Sequence, residues 1–133
     1  MKRLREIFSE VNNLNIYLHP YEIIVTSSSS GFIETVNDST SIDSLKKKFP
    51  NKEWTLYNFF LNYFEFDLDL AVKNFVESFA GYAIFTYLFN VKDRHNGNIL
   101  IDSEGHLIHI DFGFFLQSSP GNIGFESAPF KFT

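Results

Sequence analysis

Apolar residues recur along the chain with two periods. Over residues 1–12, Leu4, Ile7, Phe8 and Val11 fall on one stripe, which predicts the end of an amphipathic helix. Tyr17 to Thr26 reads as extended, broken near its start by His19-Pro20. The run Ser27–Ser30 followed by Gly31 predicts a turn, and Phe32 to Val36 resumes extended structure, so the pair reads as a hairpin. Asp38, Ser39 and Thr40 offer caps for a short helix over Ser41–Phe49, which Pro50 ends. Trp54 to Phe64 carries helical spacing. The longest element runs from about Asp69 to Asn90, with Leu70, Val72, Phe75, Phe79, Ala83 and Tyr87 near one face and Phe85 and Leu88 widening it. It should be the central buried helix. Two short strands follow, Asn98–Ile101 and His106–Ile110, joined by the turn Asp102-Ser103-Glu104-Gly105 with Gly105 placed for positive φ. Phe112 to Thr133 holds Gly113, Gly121, Gly124, Pro120 and Pro129 and reads as a long irregular loop, the kind that is functional or mobile. The fold class expected is α+β.

Composition narrows the function classes. The chain has 133 residues, enough for one domain, and 44% of them are apolar, enough to bury a core. A net charge of −5 argues against a nucleic-acid partner, and the absence of cysteine excludes disulfides and cysteine-ligated zinc. The charged residues 1–12 lack the apolar stretch of a signal peptide. Phe75 to Val91 is apolar enough to be weighed as a membrane span, but it is short, and Glu77, Ser78, Gly81, Thr86 and Asn90 dilute it. A buried helix is the better reading. Lys46, Lys47 and Lys48 read as a solvated helix end, with contact to acidic lipid as the lesser alternative.

The chemistry lies in Val91-Lys92-Asp93-Arg94-His95-Asn96-Gly97-Asn98 and in Ile110-Asp111-Phe112-Gly113. Phosphoryl transfer needs hard oxygen ligands converging on metal ions that bridge the phosphates, and a group that orients or deprotonates the attacking hydroxyl. Protein kinases supply these from a loop of form His-Arg-Asp-x-x-x-x-Asn and a later Asp-Phe-Gly. Here Asp93 and Asn98 keep that Asp-to-Asn spacing, and Asp111 follows a hairpin that folds it back toward Asn98. Alternation puts Leu107, His109 and Asp111 on one face and Ile108 and Ile110 on the other. Asn98 and Asp111 are therefore the candidate metal ligands. Taken alone, Asp93-Arg94 would be a surface ion pair and His95 a loop histidine; the two motifs together favour function. His106 and His109, three apart on a strand, point to opposite faces and do not suit a metal pair. His109 is expected to be packed, with its ring nitrogens satisfied. His19, before Pro20, is expected to be structural or exposed.

The order Asp93-Arg94-His95 reverses the protein-kinase triplet. Asp-Arg-His-Asn-Gly-Asn with a later Asp-Phe-Gly resembles the phosphoinositide 3- and 4-kinase superfamily. Tyr21-Glu22-Ile23-Ile24-Val25, Gly31-Phe32-Ile33-Glu34, Asn74-Phe75-Val76, Ala80-Gly81-Tyr82, Gly124-Phe125-Glu126 and Phe130-Lys131-Phe132-Thr133 extend the likeness to the beta-type phosphatidylinositol 4-kinases. The resemblance implies a protein-kinase-like core, with a hinge hairpin and a mainly helical C-lobe, truncated at both ends. Residues 1–36 would end the N-lobe and form the hinge, and 37–133 would be part of the C-lobe. It implies ATP with magnesium, manganese being the alternative ion. His95 would lie nearest the γ-phosphate and the inositol hydroxyl as base or charge stabiliser. Asp93 would orient the nucleophile or hold His95, with Arg94 counted in the catalytic set, and Asn98 and Asp111 would bind the metal. Glu34, Thr35 and Val36 would form the adenine-binding hinge with Ile33 before it, and Leu100 and Ile110 the apolar floor under the base. Phe112, Gly113 and the stretch Phe114–Thr133 would form the activation loop facing the inositol head group.

The implied activity is ATP-dependent phosphorylation of phosphatidylinositol at its 4-hydroxyl, by a cytoplasmic protein held peripherally on internal, Golgi-like membranes. Between Asp111 and Thr133 the only basic residue is Lys131, which suits an unphosphorylated inositol head group better than a bisphosphate. A phosphatidylinositol 3-kinase, an atypical protein-serine kinase and a non-catalytic nucleotide-binding module are the alternatives. The phosphate-covering glycine loop and its strand lysine do not precede Tyr17, so the likeness covers the middle of a kinase domain. Adaptor or small-GTPase partners are not readable from these residues.

Overall fold

The computed structural model describes residues 1–11, 15–49 and 54–116. The expected stop at Pro50, and everything expected of residues 117–133 including Lys131, lies outside the described residues. In chain order the elements are α1 (Lys2–Glu10), β1 (Ile23–Val25), β2 (Gly31–Ile33), β3 (Ser39–Ser41), α2 (Ile42–Lys48), α3 (Leu56–Tyr63), α4 (Leu68–Leu88), β4 (Ile99–Asp102) and β5 (Leu107–His109). Helices and strands mix without strict alternation, in keeping with α+β.

Two antiparallel sheets form. β1 and β2 make the expected hairpin, closed at its tip where the amides of Thr26 and Ser27 both donate to the Ser30 carbonyl. Both strands are exposed throughout, so this hairpin stands clear of the core. The second sheet has the order β3-β4-β5, with Ser41 opposite Leu100 and Leu100 opposite Ile108. The turn between β4 and β5 is built around Asp102, whose Oδ1 accepts from the amides of Glu104 and His106, and Gly105 takes the expected positive φ of 89°. Burial alone would raise the Asp102 carboxyl. The ring and backbone of His106 outweigh that and hold it below its ordinary value. His106 in turn stacks on Tyr17 with ring centroids 3.9 Å apart.

β3 was not expected. Asp38, Ser39 and Thr40 are not helix caps; Ser39–Ser41 is an edge strand, and Ser41 itself caps α2 by accepting from the Ser44 amide at 3.1 Å. Polar Ser-Thr-Ser carries no apolar alternation, so periodicity cannot reveal it. The strand exists because β4 offers it a ladder. α2 ends in the exposed Lys46, Lys47 and Lys48, where cations suit the negative end of the helix, and Lys47 pairs with Asp43.

The larger correction concerns α4. Its buried side is Ala71, Ser78, Gly81, Tyr82, Phe85 and Thr86, whereas Leu70, Val72, Tyr87 and Leu88 are exposed. Phe75 and Phe79 are partly buried against the core, as expected. The helix is apolar nearly all round, so hydrophobicity does not choose its inner face. Small residues do. The Cβ-less face of Gly81 lies against the backbone carbonyl of Tyr17, and Ser78 Oγ accepts from the Leu107 amide at 2.8 Å while donating to the Asn74 carbonyl. Segment 16–18 and strand β5 can thus lie directly on the helix. The core that results contains Leu18, Leu45, Phe60, Phe64, Tyr82, Ile99, Ile101, Leu107 and Ile108. Among the described residues no helix is long and apolar enough to cross a membrane.

A methyl group at Gly81 would sit 2.4 Å from the Tyr17 carbonyl oxygen and 2.9 Å from Ile16 Cγ2, and neither can withdraw without lifting the segment. Gly81→Ala is therefore expected to destabilise the native chain by about 3 kcal/mol or more. Urea unfolding followed by tryptophan fluorescence checks this; an unchanged midpoint would mean that segment 16–18 does not rest on α4.

Candidate active site

The chain leaves α4 through Phe89 and turns at Asn90, which takes φ 46° in the position after the helix cap where Asn is favoured. The Asn90 side-chain amide donates to the Leu116 carbonyl, the Leu116 amide to the Phe89 carbonyl, and the Lys92 amide to the Phe114 carbonyl. These three bonds, all 2.8–2.9 Å, tie residues 114–116 to the chain that enters the Asp-Arg-His loop.

The loop itself is closed by local bonds. Asp93 has φ 59°, the Asn98 amide donates to the His95 carbonyl at 2.9 Å, and Asn98 Nδ2 donates to the Asp93 carbonyl at 3.0 Å. The Asp43 amide, in the first turn of α2, donates to the Asn96 carbonyl at 3.1 Å and steadies the loop from outside. The Gly97 amide donates to His95 Nδ1 at 3.1 Å, which leaves Nε2 as the protonated nitrogen of the neutral ring. That Nε2 stands 4.0 Å from Asp93 Oδ2, with the His95 side chain more exposed than that of Asp93.

The hairpin brings Asp111 back as expected. The Ile110 amide donates to the Asn98 carbonyl at 3.0 Å, so Ile110 lies opposite Asn98 and Asp111 follows it at the open end of β4 and β5. Bonding through Nδ2 leaves Oδ1 as the Asn98 atom that could serve a cation, and Asp111 adds an exposed carboxylate whose Oδ1 accepts from the Gly113 amide at 3.3 Å. Two hard oxygen donors suit an ion that takes its remaining ligands from phosphates and water. Among the described residues no cluster of three or more His, Asp or Glu could hold a metal by itself.

β5 is buried on both sides, so Leu107, Ile108 and His109 are all interior whichever face they take. Arg94 also points inward and is 2% exposed. Its guanidinium donates to the carbonyls of Lys92, Ile110 and Asp111 and lies over the Phe112 ring, 5.4 Å from the centroid. Phe112 packs edge-on against Phe85 and stacks on Tyr21.

Comparison with known proteins bears directly on this loop and hairpin. The sequence profile of the family described as "Phosphatidylinositol 3- and 4-kinase" matches residues 1–133. This chain belongs to that family. It is 53% identical over 96% of its length to phosphatidylinositol 4-kinase beta 1 of Arabidopsis thaliana. It is 53% identical over its whole length to phosphatidylinositol 4-kinase of Dictyostelium discoideum, and 47% to phosphatidylinositol 4-kinase beta of Danio rerio. The chain spans 12%, 11% and 16% of those three proteins respectively.

Within this phosphatidylinositol 3- and 4-kinase segment, the residues expected to hold the nucleotide fall in two places. Ile33, Glu34 and Thr35 are exposed at the foot of the β1–β2 hairpin, where the Glu34 amide donates to the Glu22 carbonyl and the Glu34 carboxylate accepts from the Glu22 amide. Val36, Leu100 and Ile110 are half-buried against the core, and Ser39 Oγ secures the Val36 carbonyl at 2.8 Å. The anchoring roles of Asn90, Asp43 and Arg94 escaped the sequence reading. Only Asn90, an Asn just past a long helix, carried a readable signal.

His109 is packed as expected, 1% exposed and stacked on Tyr82 at 4.8 Å, but its nitrogens are not satisfied: neither reaches a hydrogen-bond partner. Burial, with the Arg94 cation nearby, pushes its pKa down from 6.5 to about 3. The unfolded chain gains a proton on this ring below 6.5 that the folded chain refuses until about 3. This contribution to stability is therefore fully present above pH 6.5 and is lost as pH falls toward 3. His109→Phe is expected to flatten the pH dependence of unfolding, by about 2 kcal/mol between pH 7 and pH 5. Equal slopes for both proteins in urea titrations would rule out a neutral buried imidazole.

Proposed function

We propose that this chain is the central part of an ATP-dependent phosphatidylinositol 4-kinase that phosphorylates the inositol 4-hydroxyl of phosphatidylinositol. The observation that carries this reading is the Asp93–Asn98 loop folded against Asp111 through the Ile110–Asn98 hydrogen bond, in a chain so similar to named phosphatidylinositol 4-kinases. In this reading residues 1–36 end the upper lobe and form the hinge, and 37–133 belong to the lower lobe of a protein-kinase-like core. Ile33 to Val36 hold the adenine edge through backbone groups, over a floor of Leu100 and Ile110. Phe112, Gly113 and Lys131 belong to the loop that meets the lipid head group.

Asn98 Oδ1 and the Asp111 carboxylate would hold magnesium, or manganese in its place, which offsets the charge of the ATP phosphates. Asp93 orients the attacking 4-hydroxyl as a hydrogen-bond acceptor and keeps His95 in reach. His95, with Nδ1 occupied by the Gly97 amide, presents Nε2–H to the charge that develops on the transferred phosphoryl group. That geometry favours a charge-stabilising role for His95 over that of a base, and leaves Asp93 as the nearer acceptor for the hydroxyl proton. The lipid substrate requires that this chemistry occur at a membrane surface.

The native full-length polypeptide, assayed with ATP on phosphatidylinositol vesicles, is expected to yield phosphatidylinositol 4-phosphate, identified by chromatography of the deacylated lipid. Phosphate on the 3-hydroxyl, or on peptides alone, would replace this reading with one of its alternatives. Asp111→Ala is expected to abolish transfer; unchanged turnover with Mg-ATP would remove Asp111 from the metal site. His95→Ala is expected to lower kcat about 100-fold or more while ATP affinity changes little. A large loss of ATP affinity at normal kcat would contradict the role given to His95.

A further inference from the structure

We infer that Arg94 is a positioning residue that sets the metal-binding geometry of Asp111 from behind, without touching substrate. The inference rests on the proposed role of Asp111 as a metal ligand. Sequence grouping places Arg94 with the catalytic residues Asp93 and His95, yet it is buried while they are partly or fully exposed.

A buried cation is costly unless its donors are met. Arg94 meets them with main-chain carbonyls from two separate segments. Nε donates to the Lys92 carbonyl at 3.0 Å, on the loop that carries Asp93. Nη1 donates to the Ile110 carbonyl at 2.7 Å and Nη2 to the Asp111 carbonyl, on the segment that carries the metal ligand. The two carbonyls on that segment bracket the Asp111 residue. Asp111 itself takes φ 55°, a left-handed conformation that costs a non-glycine residue energy and persists only when its surroundings impose it. From the other side, the Ile110 amide is held by the Asn98 carbonyl. The planar guanidinium therefore works as a rigid spacer between the Asp93–Asn98 loop and Asp111. Packing of Phe112 beneath it keeps the fork in plane. Lysine has one compact ammonium and cannot reproduce a fork that spans three carbonyls.

The test uses the native full-length kinase and the variants Arg94→Lys, Arg94→Gln and Asp111→Ala. For each, the magnesium concentration giving half-maximal turnover is measured beside kcat, the KM for ATP and the melting temperature. Arg94→Lys and Arg94→Gln are expected to remain folded at the assay temperature and to require about tenfold more magnesium, as loss of a residue that orients a metal ligand does. The KM for ATP extrapolated to saturating magnesium should change less. A magnesium requirement equal to that of the wild type in either folded variant overturns the inference. So does loss of activity in proportion to unfolded protein in both, because Arg94 would then only maintain the fold. Asp111→Ala separates the two readings. If it keeps magnesium-dependent turnover, the metal site itself is misassigned. If it is inactive while both Arg94 variants bind magnesium normally, only the role of Arg94 fails.

Discussion

The contact on which the molecule depends is the close seat of strand β5 and segment 16–18 on helix α4. It is made by Ser78 and Gly81, two residues that contribute almost no hydrophobic area. Ser78 Oγ takes the Leu107 amide into the helix surface, and Gly81 lets the Tyr17 backbone touch the helix. A larger residue at either position would lift the sheet away from α4, and the core formed by Tyr82, Ile108 and Leu18 would open with it. The height of β5 above the helix also sets where the chain emerges at Ile110 and Asp111. A packing constraint in the interior thus decides the position of the proposed metal ligand.

On either side of the β4–β5 hairpin the chain departs from regular structure, and the departures cluster. Asn90, Asp93, Asp111 and Leu116 all take positive φ, and all lie in the two segments that run side by side at the site. Left-handed backbone at non-glycine residues persists where surrounding bonds over-determine it. Those bonds are present here: Asn90 to Leu116, Lys92 to Phe114, Asn98 to Asp93 and Arg94 to Asp111. Among the described residues, the only other non-glycine with positive φ is Asp38, in the turn before β3. Strain is therefore concentrated where chemistry is proposed, while the regular elements below it are relaxed.

The legible parts of this fold were those with local signals. The tetraserine turn, the Gly105 turn, the two hairpins and the helices near Lys2, Ile42, Leu56 and Leu68 follow from spacing and turn chemistry. The return of the chain to Asn98 just before Asp111 was also legible, because a two-strand hairpin with a short turn must bring the chain back to its start. What was illegible depended on partners distant in sequence. Ser39–Ser41 becomes a strand only because β4 is beside it. The inner face of α4 was misread because hydrophobic residues surround the helix, and the decisive Ser78 and Gly81 look like dilution of an apolar run. His109 was expected to find hydrogen bonds; its burial against Tyr82 and near Arg94 left none within reach.

The reversed triplet has a geometric explanation. Asp93 takes a left-handed φ of 59°, so local bonds and not strand alternation divide the side chains of this loop. Here Asp93 and His95 face the same opening, with His95 Nε2 4.0 Å from Asp93 Oδ2, while Arg94 turns into the protein. Exchanging the outer two letters of the triplet leaves that division intact. The arginine stays in the middle and stays inside, bonded to the Ile110 and Asp111 carbonyls, and an acid and an imidazole remain on the side where a phosphate would arrive. What the exchange alters is which of the two lies nearer Asn98. With histidine second, its Nδ1 can accept the Gly97 amide inside the following turn, which a carboxylate in that place would meet with different geometry. That bond fixes the tautomer and turns the ring so that Nε2–H faces outward. Reversal of the letters thus conserves the inner support and assigns the outward hydrogen-bond donor to the residue beside the turn that carries the proposed ligand Asn98.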